Sequence, residues 1–260
     1  MTESDASAVR CERLPGHVAL VTLNRPAARN AINGAVVAAL GRAVTTLDAA
    51  DDVRAVVLTG AGSVFSAGAD LKEVAAGRAS QLRDGNGFAG FVHAPRRKPW
   101  IAALNGRALA GGCEIALACD LIVAEEGAAL GLPEVTRGLA AAGGGLYRLV
   151  QSLPARVAIE LILTGGEIGA RRACELGLLN AIAPAGQAVG QALELARRIA
   201  ANAPLAVRES LRMARLAMET DADAMRGLSA ELWDRIGASA DAIEGSRAFV
   251  EKRPPRWTGR

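Results

Sequence analysis

The sequence is poor in the residues that several functional classes require. Aromatic residues make up 3% of the chain, too few for the base-stacking surfaces of single-stranded nucleic-acid binders. Histidine occurs only as His17 and His93, which argues against a histidine-based zinc site. The four cysteines form no CxxC pair. We interpret two of them, Cys113 and Cys119, as small buried hydrophobic residues.

Long apolar runs and strong charge are also missing. No run approaches the roughly 18 residues of a membrane span, and Asp120 interrupts the longest candidate. The opening MTESDASAVR is polar and lacks the apolar region of a secretory signal. The net charge of +3 is far from the clustered positive field of a nucleic-acid binder. We therefore expect a protein of the reducing cytoplasm, without nucleic-acid or membrane partners.

What the sequence does have is a large apolar content, 51% of its residues, arranged in short segments. One helical segment, 33–47, places apolar residues at helical spacing, namely Val36, Val37, Leu40, Val44 and Leu47. Five other segments resemble buried strands that end in polar or glycine turns, at 18–24, 55–60, 100–106, 121–127 and 160–166. Alternating strands and helices predict an α/β fold with mainly parallel strands.

Beyond Pro184 the strand signals stop and helical patterns follow. Helices are predicted over 187–201, from Pro204 onward, around 225–236, and in a last segment up to Glu251. The apolar faces of the second and third helices are Val207, Leu211, Ala214 and Met218, then Met225, Leu228, Leu232 and Ile236. This surface exceeds what one short bundle needs. It is buried either against another subunit or against the α/β core.

One glutamate, Glu114, stands inside the apolar run ALAGGCEIALACD at 108–120. Glutamate is rarely buried without a partner. Taken alone, Gly111 and Gly112 indicate a turn into a helix whose first turn favours a carboxylate through the macrodipole. Glu134, after Pro133 in GLPE, is by itself most simply a surface loop charge. Neither residue on its own establishes a catalytic site.

Three glycine-rich stretches carry further information: TGAGSVFSAGADLKE (59–73), NGRALAGGCE (105–114) and GLPEVTRGLAAAGGGLYRL (131–149). None has the spacing of a Walker A loop or of a Rossmann fingerprint. Five pieces in order and in register make the chain resemble the enoyl-CoA hydratase/isomerase (crotonase) superfamily. They are VTLNRPAARNAIN (21–33), VVLTGAGSVFSAGADLKE (56–73), PWIAALNGRALAGGCEIALACD (99–120), GLPEVTRGLAAAGGGLYRL (131–149) and EGSRAFVEKRPPRWTGR (244–260). The resemblance covers nearly the whole chain.

The resemblance implies an architecture and a ligand. The fold would be a crotonase-like spiral of ββα repeats, with a core over 1–200 and a C-terminal helical region over 201–260 that drives trimerisation, often as a dimer of trimers. The ligand would be an acyl-CoA thioester in fatty-acyl metabolism. The resemblance implies no metal and no separate cofactor, because coenzyme A is part of the substrate.

The resemblance also assigns residues for adding water across the 2,3 double bond of an enoyl-CoA. The backbone amides of Ala67 and Gly111 would form the oxyanion hole. Glu134 would be the main acid/base at the α-carbon, and Glu114 would activate the water that adds at the β-carbon. Two carboxylates can divide these roles when their environments separate their pKa values. The residues implied to bind the substrate or its coenzyme A part are Arg25, Gly68, Ala69, Asp70, Leu71, Lys72, Phe249 and Lys252.

The sequence departs from the family pattern around the acyl group. Ala110 stands where glycine is common, and LAAAGGGLYRL replaces the usual Pro-Gly-Ala-Gly-Gly segment. Leu146 and Tyr147 replace a common Thr-Gln pair. The length and shape of the acyl group therefore stay open.

Several alternative functions also stay open. Carnitinyl-CoA dehydration and double-bond isomerisation can use the same two glutamates. A non-catalytic acyl-CoA-binding homologue is disfavoured because both carboxylates are present, and an RNA-binding homologue is disfavoured by the lack of a lysine-rich helix. A protease would need Ser63 or Ser66 beside His93, and no spacing supports that arrangement.

Overall fold

The computed structural model describes residues 8–218 and 220–260 and shows short strands alternating with helices. In the described part the strands are β1 (Val9–Leu14), β2 (Val18–Leu23), β3 (Ala55–Gly60), β4 (Val64–Ser66), β5 (Arg83–Asp84), β6 (Gly87–Phe88), β7 (Trp100–Leu104), β8 (Arg107–Leu109), β9 (Leu121–Glu125), β10 (Ala129–Gly131), β11 (Glu167–Gly169) and β12 (Ala181–Ala183). The α-helices there are α1 (Gly34–Ala49), α2 (Leu71–Ala75), α3 (Gly111–Ala118), α4 (Gly145–Ser152), α5 (Ala155–Thr164), α6 (Ala170–Glu175), α7 (Ala188–Ala200), α8 (Pro204–Leu216), α9 (Ala222–Gly237) and α10 (Ala240–Val250). Short 3-10 turns lie at Pro26–Ala28, Ala79–Leu82 and Pro133–Arg137.

Two sheets organise these elements. The larger has the order β1-β2-β3-β7-β9-β12, with β1 antiparallel and all other pairs parallel. The smaller has the order β11-β10-β8-β4, with only β11 antiparallel. The chain passes from β3 to β4, from β7 to β8 and from β9 to β10, each time from the larger sheet to the smaller one. A helical segment follows each pair, which confirms the α/β fold and the spiral of ββα turns.

Helix α1 shows how the sequence pattern produces the core. The Asn33 side chain caps it by accepting a hydrogen bond from the Val36 amide at 3.1 Å. All five apolar residues predicted for its inner face are buried. Burying an aliphatic side chain contributes roughly 1.5–3 kcal/mol before conformational entropy is subtracted. The predicted helix over 33–47 is therefore confirmed.

Helix α7 covers the opposite face of the larger sheet. Its buried residues are small and four apart, namely Ala188, Ala192, Ala196 and Ala200. This stripe packs against the buried sheet residues Val57, Ile101 and Val123. Alanine lets the helix approach the sheet closely, as expected for a core built with few aromatic residues.

The strand predicted over 160–166 is wrong. Residues 160–164 form the second half of α5, which follows Pro154 and is capped by Gly165 in the left-handed conformation. Ala158 is buried, and Leu161 and Ile162 pack against the same core at helical spacing. A short apolar run does not distinguish a strand from a buried helix by its pattern alone.

The C-terminal region is helical, as predicted, and is tied to the core. Arg215 of α8 forms an ion pair with Asp120 at 2.7 Å, and the Trp257 indole donates to the Ala201 carbonyl at 2.8 Å. The apolar face predicted for α9 is only half-buried. Large apolar side chains stay exposed in this protomer at Met218, Trp233, Ile243, Phe249 and Val250. Within residues 8–218 and 220–260, no helix is both long and apolar enough to cross a membrane.

Candidate active site

The N-terminus of α3 presents the first feature of the site. Strand β8 ends at Leu109 and is followed by Ala110, whose φ of 52° and ψ of −129° are unusual for a residue with a side chain. The Ala110 amide donates to the Gly131 carbonyl at 2.9 Å, and the Ala110 carbonyl accepts from the Glu114 amide at 3.1 Å. Gly111 is the first helical residue, so its amide has no acceptor within the helix. Such an amide, at the positive end of the helix dipole, can bind an anionic oxygen.

Glycine is required at the start of α3 for a steric reason. A Cβ on Gly111 would overlap the ring of Phe88 in the β5–β6 hairpin. A Cβ on Gly112 would overlap the Ser66 carbonyl at the end of β4. The helix therefore packs directly against both strands. Nothing in the sequence pattern pointed to Phe88, because its contact with Gly111 joins distant parts of the chain.

The carboxylate of Glu114 is buried and has a partner. Only 4% of this residue is exposed, and its Oε1 accepts a hydrogen bond from the Gly145 amide at 3.0 Å. Burial raises the pKa of Glu114, while the backbone amides of Gly145 and Gly143 lower it. The glycine run thus meets the buried carboxylate at the positive N-terminus of α4. A Cβ on Gly143 would lie 2.6 Å from Oε2, which explains a glycine at this position.

Glu134 lies in the 3-10 turn Pro133–Arg137 and is half-buried. Its Oε2 is buried and has no hydrogen-bond partner among the described residues. Burial, with a smaller contribution from the nearby charge of Glu114, raises the pKa of Glu134 to about 7. Both carboxylates also act on the pKa of Cys113. Glu114 and Glu134 therefore share one neighbourhood, and Glu134 can exchange a proton near neutral pH.

The prediction that Ala67 supplies an oxyanion-hole amide is wrong. The Ala67 amide donates to the Arg29 carbonyl at 3.0 Å, so it is not available to a ligand. The Ser66 hydroxyl is also engaged, because it donates to the Asn30 carbonyl at 2.9 Å and accepts from the Gly68 amide at 3.1 Å. This hydroxyl is structural, so Ser66 is not available as the nucleophile of a protease.

At Gly68, two residues after Ser66, the backbone contacts the start of α3. A Cβ on Gly68 would lie 2.7 Å from the Gly111 nitrogen. Ala69 follows directly, and within residues 8–218 and 220–260 its amide makes no hydrogen bond. Its neighbours are engaged, since the Asp70 amide donates to the Ile32 carbonyl at 2.9 Å. The free amides of Ala69 and Gly111 thus lie on adjoining pieces of backbone.

The residues implied to bind coenzyme A fall into two groups. The first is contiguous: Asp70 caps α2 through the Lys72 amide and accepts from the Arg25 guanidinium at 3.1 Å. Leu71 and Lys72 are exposed at the start of α2, next to Gly68 and Ala69. The second group, Phe249 and Lys252, lies at the end of α10, and the Phe249 residue is 85% exposed. Across the described residues, neither makes a hydrogen bond to Glu114, Glu134 or the segment Gly68–Lys72.

Comparisons with known proteins identify the family to which the chain is similar. The sequence model described as enoyl-CoA hydratase/isomerase matches residues 13–260. An enoyl-CoA hydratase of Mycobacterium tuberculosis is 40% identical over 256 residues, covering 94% of each chain. A carnitinyl-CoA dehydratase of Proteus mirabilis is 38% identical over 252 residues, covering 94% of this chain and 96% of its own.

A solved structure has the same fold as this chain. The crystal structure of an enoyl-CoA hydratase from Mycobacterium tuberculosis superposes with a TM-score of 0.94 at 44% identity. The match covers 98% of this chain and 100% of that one. With the spiral of ββα turns and the glycine-rich stretches in register, the chain belongs to the enoyl-CoA hydratase/isomerase family.

Proposed function

We propose that the protein is an enoyl-CoA hydratase that reversibly adds water across the 2,3 double bond of an enoyl-CoA thioester. The observation that carries this proposal is the pair of carboxyl groups. Glu114 is held by backbone amides, while Glu134 has a pKa of about 7 and a buried oxygen that has no partner in the described part of the chain. One carboxyl group is therefore held in place as a hydrogen-bond acceptor, and the other is suited to transfer a proton.

The proposed oxyanion hole consists of the Gly111 and Ala69 amides. As water adds to the β-carbon, negative charge develops on the thioester oxygen as an enolate. Two preorganised amides stabilise that charge, and losing one such donor costs roughly 3–4 kcal/mol in related chemistry. Ala69 replaces Ala67 in this role. Of the two amides, that of Ala67 donates to the Arg29 carbonyl, whereas that of Ala69 has no acceptor in the described structure.

The two carboxyl groups complete the reaction. In the proposal, Glu114 accepts a proton from the attacking water, whose oxygen bonds to the β-carbon. Glu134 donates a proton to the α-carbon as the enolate collapses, and the product is a 3-hydroxyacyl-CoA. Before the next turnover Glu114 releases its proton to solvent and Glu134 takes one up. Dehydration is the exact reverse, in which Glu134 removes the α-proton. The coenzyme A part would lie along Gly68–Lys72 beside Arg25, with Phe249 and Lys252 reaching the site of a neighbouring subunit.

A panel of enoyl-CoA substrates tests this function. We expect the purified protein to hydrate crotonyl-CoA or a longer or more polar enoyl-CoA, seen as loss of enoyl absorbance. Carnitinyl-CoA belongs in the panel, because the Proteus mirabilis relative is a carnitinyl-CoA dehydratase. Lack of turnover with every chain length would instead favour an acyl-CoA-binding protein without catalysis.

We also propose that residues 201–260 form the helical region that assembles the protein as a trimer or a dimer of trimers. This is supported by the apolar side chains exposed on the protomer, among them Trp233 at 80% and Phe249. Light scattering should give a mass that is a multiple of three protomers, and a clean monomer would contradict the proposal. A cytoplasmic location is part of the same proposal, supported by four unpaired cysteines.

A further inference from the structure

Arg148, in the first turn of α4, reaches back over the loop that holds Glu114. Its Nη1 donates to the Gly143 carbonyl at 3.1 Å. The guanidinium occupies the space beside Gly144, where any Cβ would overlap it, and the Gly144 φ of 105° also favours glycine. Gly143 and Gly145, whose amides act on the Glu114 carboxylate, flank this contact. Arg148 therefore fixes the loop whose amides bind the Glu114 carboxylate.

The other terminal nitrogen of the same guanidinium binds the turn that contains Val92. Nη2 of Arg148 donates to the carbonyl of Val92 at 2.7 Å. Val92 is buried, and its amide donates to the Phe88 carbonyl at 3.2 Å. The Phe88 ring fills the space against Gly111. One planar group thus joins the loop around Glu114 to the turn that packs on the Gly111 amide.

Charge acts in the same place. The positive charge of Arg148 lowers the pKa of Glu114, against the larger effect of burial, which raises it. The other titratable groups that interact with Glu114 are Glu134, from the 3-10 turn, and the Cys113 thiol on α3. Among the described residues, Arg148 is the cation whose charge acts on Glu114.

We propose that Arg148 is a positioning residue: by holding the Gly143 and Val92 carbonyls together, it fixes the Glu114 carboxylate relative to the Gly111 amide. The inference rests on the proposed hydratase function. A guanidinium suits this task because its donors lie in a rigid plane and can serve two acceptors at once, whereas lysine is a single flexible point charge. The effect should therefore appear in the rate of the chemical step rather than in substrate binding.

The test uses Arg148→Met, Arg148→Lys and the control Arg172→Met, all in the full chain. Arg172 is exposed and only pairs with Glu175 at 3.5 Å, so its loss should leave kcat and KM unchanged. We expect Arg148→Met to lower kcat at least about tenfold with KM within about threefold, because small misplacements of reacting groups are costly. In the Arg148→Met variant, the fall of hydration kcat at low pH should begin at a higher pH than in the wild type. Arg148→Lys should keep that limb near its original pH but lower kcat by an intermediate factor.

Two results would overturn the inference. One is a kcat of Arg148→Met within twofold of the wild type. The other is a fall in both variants that matches only their loss of folded protein, measured by thermal unfolding. If Arg148→Met does not fold, Arg148→Lys decides: lower kcat at unchanged KM supports the role, and unchanged kcat refutes it. A wild type without hydratase activity would instead refute the proposed function itself.

Discussion

Gly143→Ala places a single methyl group against the carboxylate of Glu114. The added Cβ would lie 2.6 Å from Oε2 and 3.0 Å from Cδ, whereas ordinary contacts begin near 3.4 Å. The Gly143 backbone itself has no positive φ, so alanine fits its conformation. The carboxylate must therefore move by about 0.8 Å, away from the amides that fix it.

The size of the effect follows from this displacement. A misplacement of about 1 Å can cost on the order of 100-fold in rate. We expect kcat of Gly143→Ala to fall roughly 10- to 100-fold, equivalent to about 1.4–2.7 kcal/mol of barrier. KM should change little, because the oxyanion-hole amides and the proposed coenzyme A contacts do not involve Gly143.

The assay follows the loss of enoyl absorbance at several substrate concentrations, with thermal unfolding measured in parallel. Gly127→Ala is the matched control, because a Cβ on Gly127 meets nothing within 4 Å and its φ is not positive. This control should keep wild-type kcat. The reasoning is refuted if Gly143→Ala stays within twofold of the wild type, or if Gly127→Ala loses as much activity.

Three further predictions concern Glu134 and Ala110. Because burial raises the pKa of Glu134 to about 7, hydration kcat/KM should fall as pH rises above about 7, where the acid is lost. Addition of water consumes no net proton, so dehydration kcat/KM should follow the same profile; hydration kcat/KM that does not fall above pH 7 would contradict this assignment. The raised pKa also means that the contribution of Glu134 to wild-type stability is fully present below its unfolded pKa of about 4.5 and is lost as pH rises through 7. The melting temperature of Glu134→Gln, relative to wild type, should therefore increase from pH 5 to pH 8, and a constant difference would count against a desolvated carboxylate. Ala110→Gly relieves a left-handed backbone at a cost in chain entropy, so we expect a net gain of about 1 kcal/mol, or roughly 2–4 °C in calorimetry. A lower melting temperature would show that Ala110 is not strained.

The sequence predicts best where one local rule is enough. Helix α1 has a capping Asn33 and five apolar residues at helical spacing, and its burial pattern follows directly. Segment 160–166 is different, because its apolar run suits either a strand or a helix and the packing against the core decides. Pro154 before it and Gly165 after it are the signals that mark the helix.

At the site, residue types are predictable but partners are not. The buried position of Glu114 poses the right question, yet its partner Gly145 lies 31 residues away and is brought close only by the spiral. The Ala67 assignment fails for a related reason. Whether an amide is free depends on a carbonyl from another segment, here that of Arg29, which no pattern around residue 67 encodes.

The most direct test of the central claim, that Glu114 and Glu134 act together on one substrate, is a double-mutant cycle in kcat with Glu114→Gln, Glu134→Gln and the double variant. Each single substitution should lower kcat by at least about 100-fold, the scale of general acid–base catalysis. The double variant should be little slower than the worse single one, because groups that act as a unit are not additive. Losses that multiply, or a single variant that keeps full activity, would contradict the shared role of the two carboxylates.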